Sequence, residues 1–126
     1  MITGVRSVMV FSHDLQAARQ FWTERLGFEN QEDALADPEE PPAGALEVRI
    51  PGDDVTVVLF DSEGHEDRVG GFRSLIFECD DIHATYAELV ARGVEFPTPP
   101  TAESWGWWAR FKDLDGNEFG LGSRAE

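Results

Sequence analysis

The chain has 126 residues, a length that fits one domain with a sizeable core. Its formal charge is −15, and residues 1–67 hold 15 acidic residues against four arginines. A field of that sign repels nucleic acid and anionic membranes, so we expect neither as a partner. No apolar run approaches the roughly 20 residues of a membrane span, and residues 1–11 lack the charged region, apolar run and small-residue cleavage site typical of a signal peptide. The single Cys79 cannot form an internal disulfide, and we expect a cytoplasmic protein.

An internal repeat at an offset of 67 residues organises the chain. Residues 7–14 match residues 74–81, and the similarity continues into the segment that follows each of them. We therefore predict one domain built from two modules, residues 1–61 and 72–126, joined by an acidic, Gly-rich linker at 62–71.

The first module is predicted to begin with an apolar strand, followed by a helix that Asp14 caps and Gly27 ends. The apolar face of this helix is formed by Leu15, Ala18, Phe21, Trp22 and Leu26. A short second strand follows, and then an acidic, Pro-rich loop at 35–44, which we expect to be exposed. The module closes with a hairpin whose strands are residues 45–50 and 55–60.

The second module repeats this order, with Gly93 at the end of its helix and a closing hairpin of residues 107–112 and 118–122. The apolar face of its helix is formed by Ile82, Thr85, Tyr86 and Leu89. Each half is therefore βαβββ, and the predicted fold class is α+β. We expect a curved mixed sheet with a cleft between the modules and the helices on the outside.

The residues of both halves resemble the vicinal oxygen chelate superfamily, the group of glyoxalases, bleomycin-resistance proteins and ring-cleaving extradiol dioxygenases. In the first half the resemblance is carried by Phe21-Trp22 and by Leu26-Gly27-Phe28. In the second half, the run from Asp113 to Asn117 is similar to the family's closing "DPDGN" hairpin, with Leu114 in place of the proline. The resemblance covers nearly the whole chain and implies the two-module fold.

In metal-dependent relatives, four strands each supply one ligand, usually His, Glu or Gln, to a divalent ion. The resemblance places these positions at Ser7, at about Leu59, at Ser74 and at Gly120. Divalent transition metals require imidazole, carboxylate or thiolate donors, which these residues do not supply. We therefore expect no metal and no cofactor.

Other reactive side chains have structural explanations. The run Ser12-His13-Asp14 contains the residues of a catalytic triad, but neighbours on a strand point to opposite faces, so Asp14 is better explained as a helix cap. His13, His65 and His83 belong to no metal-binding motif and are expected to titrate at the surface. Cys79 is expected to pack beneath the helix.

Large aromatic residues near the end of the chain are the strongest remaining sign of a binding site. The predicted ligand-binding residues are Phe11, Leu59, Trp105, Trp107, Trp108, Phe111 and Glu118. A hydrophobic rim or a module interface would use the same aromatic residues. Strand alternation places Trp107 and Phe111 on one face and Trp108 on the other, and leaves open which face borders the cleft.

These observations favour a metal-independent small-molecule binding protein. By resemblance to bleomycin-resistance proteins, it would be an acidic homodimer that sequesters a cationic or aromatic compound. The alternative is an enzyme of the same superfamily, a lyase, isomerase or dioxygenase. It would use Glu118 or Glu78 as a base, or a metal held at positions other than those aligned above. A third possibility is an accessory or interaction domain.

Overall fold

The computed structural model describes residues 1–30 and 45–124, so the predicted loop at 35–44 lies outside the described residues. The chain divides into two compact units, Met1–Val69 and Gly70–Glu126. Each unit has its own four-stranded mixed sheet, which confirms the α+β class and the tandem βαβββ order. In the described ranges, no helix has the length and apolar character needed to cross a membrane.

The first unit contains a helix and four strands. They are β1 (Ser7–Ser12), α1 (Leu15–Gln20), β2 (Glu29–Asn30), β3 (Ala45–Arg49) and β4 (Thr56–Asp61). The strand order is β1-β4-β3-β2, with β1 parallel to β4 and the other pairs antiparallel. A short 3₁₀ turn, Glu66–Arg68, follows the sheet.

Helix α1 begins and ends as the sequence predicts. Asp14 accepts a hydrogen bond from the backbone N–H of Ala17 at 3.1 Å, and Gly27 has a φ of 81°. Between these residues, α1 continues into a π-helical turn, Phe21–Arg25, in which the N–H of Leu26 donates to the carbonyl of Phe21. The sequence does not predict this wider turn.

The second unit also has one helix and four strands. They are β5 (Gly71–Glu78), α2 (Ile82–Ala91), β6 (Glu95–Glu103), β7 (Gly106–Lys112) and β8 (Asn117–Arg124). The order is β5-β8-β7-β6, with β5 parallel to β8. Strand β6 has nine residues, longer than the short strand expected, and it contains Pro97, Pro99 and Pro100. Proline is tolerated there because β6 is an edge strand.

In each unit the helix packs against one face of the sheet, and the core lies between them. The first unit buries Val10, Val48, Val57 and Leu59, each at most 3% exposed. The second unit buries Ala109, Phe111, Phe119 and Leu121 on the same side as Ile82 and Leu89 of α2. The opposite face of each sheet is called its open face below.

Leu59, a predicted ligand-binding residue, does not lie on the open face of its sheet. Leu59 pairs with Val10 and is fully buried on the helix-covered face, whereas Val58 pairs with Met9 on the open face. Alternation fixes which residues of one strand share a face, but the register between strands fixes which face that is. The parallel pairing of β1 with β4 sets this register and puts Val58, one residue from the approximate position at Leu59, on the open face.

The closing hairpin turn is held by a buried pair of polar side chains. Asp113 Oδ1 accepts from the backbone N–H of Asn117 at 3.0 Å, and Asp113 Oδ2 accepts from Asn117 Nδ2 at 2.9 Å. Asn117 Oδ1 accepts in turn from the N–H of Gly70 at 2.8 Å. Burial raises the pKa of Asp113 to about 6, although these N–H donors favour its charged form.

Candidate binding site

The open face of the second unit carries aromatic and charged side chains from three neighbouring strands. The strand register puts Arg110, Gly120 and Ile76 in one row across β7, β8 and β5. Trp108, Gly122 and Glu78 form the next row on the same face. Trp107 and Phe111 instead lie on the helix side, where their rings contact His83 and Phe96. Of the predicted aromatic residues of β7, Trp108 is therefore the one on the open face, and the 3% exposed Phe111 belongs to the core.

The indole ring of Trp108 covers strand β8 at Gly120. A Cβ atom at position 120 would be 2.6 Å from Cζ3 of Trp108, would also overlap its Cη2, and would be 3.0 Å from Cγ1 of Ile76. Glycine is therefore required for the indole to take this place, because any side chain at 120 would displace it. The resemblance puts the last metal ligand at this position, and the structure fills the space with an aromatic ring.

A pocket of about 190 Å³ opens next to the indole of Trp105, the second tryptophan of this face. Its lining residues are Ile76, Phe77, Glu78, Trp105, Gly122 and Ser123. Trp105 and Trp108 meet edge to face with centroids 6.0 Å apart. Since a cavity of about 150 Å³ can hold benzene, this pocket has room for part of a flat ligand, and the rest would lie along the open face.

Charged groups on this face are arranged around the aromatic rings. The guanidinium carbon of Arg110 is 4.1 Å from the centroid of Phe72 and 6.0 Å from that of Trp108. Arg110 Nη1 is 4.0 Å from Glu118 Oε1, and Lys112 Nζ is 3.5 Å from Glu95 Oε2. The two candidate bases are thus in different places, with Glu118 beside Arg110 and Glu78 at the pocket.

The open face of the first unit is covered differently. Phe11 is largely buried beneath the ring of His65 at 5.1 Å and the guanidinium of Arg68 at 5.8 Å, and it also contacts Phe60. The segment that carries these residues is part of the predicted linker, and its Ser62 accepts or donates a 3.0 Å hydrogen bond with His13 Nδ1. Phe11 thus lies on the open face of the first unit, beneath a folded segment of that unit.

The positions that correspond to metal ligands hold no suitable set of donors. Met9 and Ile76 are repeat mates, and they pair with Val58 and Gly120 respectively, so the position expected at about Leu59 is Val58. Ser7, Val58, Ser74 and Gly120 offer two hydroxyl groups and no imidazole, carboxylate or thiolate. Residues 1–30 and 45–124 contain no group of three His, Cys, Asp or Glu side chains that could hold a metal. These residues do not fit a divalent metal ion.

Ser74 has an unusual backbone conformation for its residue type. Its φ is 60°, and the register of β5 against β8 shifts between Phe72 and Ile76, the segment that contains it. Such an irregularity re-aims the side chains on either side of it. Phe72 is consequently in edge contact with Trp108 at 6.2 Å, while Ile76 lines the pocket.

The explanation of Asp14 as a helix cap is confirmed. The Ser12 hydroxyl donates to the backbone carbonyl of Asp14, whose carboxylate caps α1, so the three adjacent residues form no proton relay. Burial raises the pKa of Cys79, which disfavours the nucleophilic thiolate. His83, which was expected at the surface, has its ring in edge contact with that of Trp107, with the centroids 4.6 Å apart.

Comparisons with known proteins agree with this fold. Residues 4–121 match the model of the Glyoxalase/Bleomycin resistance protein/Dioxygenase superfamily. The chain is 39% identical over 120 residues to the uncharacterized protein YetH of Bacillus subtilis (strain 168), covering 94% of this chain and 97% of YetH.

Two crystal structures are similar along almost their whole length. A member of the same superfamily from Sphaerobacter thermophilus DSM 20745 is 32% identical, with a TM-score of 0.82 and 98% of each chain covered. TnmS3, an antibiotic binding protein from Streptomyces sp. CB03234, is also 32% identical, with a TM-score of 0.83 and 98% of each chain covered. The chain therefore belongs to the glyoxalase, bleomycin resistance protein and dioxygenase superfamily.

Proposed function

We propose that this protein binds a flat aromatic small molecule without a metal ion, on the open face of its second unit. The observation that carries the proposal is the indole of Trp108 lying over Gly120, beside the pocket at Trp105. Aromatic planes stack on flat ligands and exclude water around them. A metal-dependent relative would need a donor side chain where this indole lies.

The similarity to TnmS3 supports the same class of function, since that protein is described as antibiotic binding. Sequestration of a toxic compound requires binding alone, and no catalytic group needs to be assigned for it. The formal charge of −15 raises the local concentration of cationic compounds around the protein. The proposed ligand-binding residues on the open face are Phe72, Ile76, Trp105, Trp108 and Glu118.

Titration followed by tryptophan fluorescence tests the proposal. The probes are metal-free bleomycin and two tricyclic compounds of nearly the same shape, the cation 10-methylacridinium and the neutral N-methylacridone. We expect saturable quenching by at least one probe, and about a fivefold weaker affinity in Trp105→Ala, since a lost aromatic contact is worth about 1 kcal/mol.

Leu114→Ala is the matched control, because Leu114 is a similarly exposed apolar residue, on the turn between β7 and β8. Its affinity should equal that of the wild type. The absence of saturable quenching by all three probes would refute the proposal. Stoichiometric Zn, Mn, Fe or Ni in protein purified without chelators or an affinity tag would refute its metal independence.

An enzymatic function is the second candidate, and the position of Glu78 favours it. This carboxylate lines the pocket together with Trp105 and Ser123, so it is placed to accept a proton from a bound compound. Chemical change of a bound probe, followed by mass spectrometry and lost in Glu78→Gln, would support this function over simple binding. An unchanged probe after prolonged incubation would count against it.

We further propose that the protein acts as a homodimer in the cytoplasm. Large apolar side chains are exposed on both open faces, with Met9 54% and Ile76 58% exposed, and such residues are typical of interfaces. Light scattering at micromolar concentration should give twice the mass of the chain. A monomer would refute the dimer.

A further inference from the structure

We infer that Arg110 makes the site select flat ligands that carry a carbonyl or carboxylate oxygen. This inference rests on the proposed function and names the ligand class within it. The net charge of the protein favours cations in the surrounding solution, whereas the guanidinium of Arg110 lies 6.0 Å from the centroid of the Trp108 ring. The local charge and the overall charge therefore predict different ligands.

The first observation is that the guanidinium lies over an aromatic ring. At 4.1 Å from the centroid of Phe72, it is held by a cation–π contact that fixes its orientation. An arginine oriented in this way loses little side-chain freedom when it forms hydrogen bonds. Arg110 is therefore arranged in advance to bind an acceptor.

The second observation is that Glu118 does not take up a hydrogen bond of Arg110. The shortest distance of this pair is 4.0 Å, beyond hydrogen-bond length, and 37% of the Arg110 side chain is exposed. Arg92 at the C-cap of α2 contrasts with it, since Arg92 Nη2 lies 2.6 Å from Glu88 Oε1. The planar donors of Arg110 remain open to an oxygen atom, and their geometry matches a carboxylate or a carbonyl.

The third observation is the position of Arg110 between the aromatic residues. It lies on the same strand and face as Trp108 and directly beside Gly120, so a ring resting on the indole would bring its edge to the guanidinium. An oxygen on that edge would gain a charge-assisted hydrogen bond. A ligand with only a positive charge there would be repelled.

Three probes that share one tricyclic frame test the inference by fluorescence titration. They are acridine-9-carboxylate, which is an anion, N-methylacridone, which is neutral with a carbonyl, and 10-methylacridinium, which is a cation. We expect the wild type to bind the two oxygen-bearing probes about tenfold more tightly than the cation. Arg110→Gln should remove this preference, and Arg110→Lys should retain part of it for the carboxylate.

Arg92→Gln is the control, because it removes the same charge from an exposed helix position. It should leave the order of the three affinities unchanged. Thermal unfolding of each variant shows whether a loss of binding is a loss of folding. An unchanged order of affinities in Arg110→Gln would overturn the inference while the proposed function stands. The absence of wild-type binding to all three tricyclic probes would overturn the inference, and it would overturn the proposed function as well if metal-free bleomycin also fails to bind.

Discussion

In the first unit, Phe11 and Phe60 occupy neighbouring strands of the open face and are in ring contact, whereas the second unit has Glu78 and Gly122 at the corresponding positions. The two aromatic rings fill the first face, and their replacement leaves the pocket on the second. At the neighbouring pair of corresponding positions the larger residue is in the second unit, where Trp108 lies beside Gly122, while the first unit has Ala45 beside Phe60.

Glu47 corresponds to Arg110 by the same register. Glu47 pairs with Val58, the partner of Met9, and Arg110 pairs with Gly120, the partner of Ile76, which is the repeat mate of Met9. The two units thus both keep apolar residues on the helix-covered face and differ in character at the residues that line the open face. The comparison teaches that an internal repeat conserves the helix-covered face of each sheet while the other face is free to specialise.

The largest expected effect is on the free energy of unfolding, and it distinguishes the hairpin turn of the second unit from that of the first. Asn117→Ala removes hydrogen bonds to Asp113 and Gly70 and leaves buried partners unsatisfied, so we expect a loss of about 3 kcal/mol in the free energy of unfolding. Asp53→Ala alters the exposed turn of the first unit, where the carboxylate accepts only from nearby N–H groups, and should cost less than about 1 kcal/mol. Urea denaturation measures both, and equal losses would contradict the distinction.

The second prediction compares two glycines of β8. Gly120→Ala forces the indole of Trp108 away from its contacts and should destabilise the protein by about 2 kcal/mol, with a shift of tryptophan emission. Gly122→Ala meets no atom closer than 3.7 Å, so it should be neutral or stabilising by about 0.5 kcal/mol. Similar unfolding curves for the two variants would show that Trp108 does not depend on Gly120.

The third prediction concerns pH and the buried turn of the second unit. The folded pKa of Asp113, about 6, is higher than its ordinary value, so the folded state binds this proton more tightly than the unfolded state. Its contribution to stability is fully present below about pH 4 and is lost as the pH rises through 6. The wild type should therefore lose about 2 kcal/mol relative to Asp113→Asn over that range. A pH-independent difference between the two proteins would contradict the raised pKa.

The smallest effect is expected for the cover of Phe11 in the first unit. Arg68→Ala removes a cation–π contact at 5.8 Å on a partly exposed surface and should cost about 0.5 kcal/mol. The affinity for the probes should remain that of the wild type, because this contact belongs to the first unit. A clear loss of probe binding in Arg68→Ala would show that the two open faces are not independent.

The fold was predictable because local signals repeat. Asp14 and Asp81 cap the two helices, and Gly27 and Gly93 end them with positive φ, as their spacing in the sequence indicates. The length of β6 was not predictable, because its prolines disfavour a strand unless it lies at an edge. Edge position is a property of the assembled sheet.

The site was predictable in part. Alternation separates Trp107 from Trp108, but only the packing of Phe111 against Phe96 and Phe119 shows which face is covered. Arg110 shares a face with Trp108 in the sequence pattern, yet its contact with Phe72 depends on the irregular pairing of β5. Leu59 was misplaced for a similar reason, since strand register is a long-range property.

The prolines of β6 have a consequence for self-association. Pro97, Pro99 and Pro100 lack N–H groups, so this edge of the second sheet offers an incomplete row of donors to an approaching strand. A second copy of the chain would gain few backbone hydrogen bonds by extending the sheet here. The edge is thus protected against fibre-like growth, and any dimer is directed toward side-chain contacts on other surfaces.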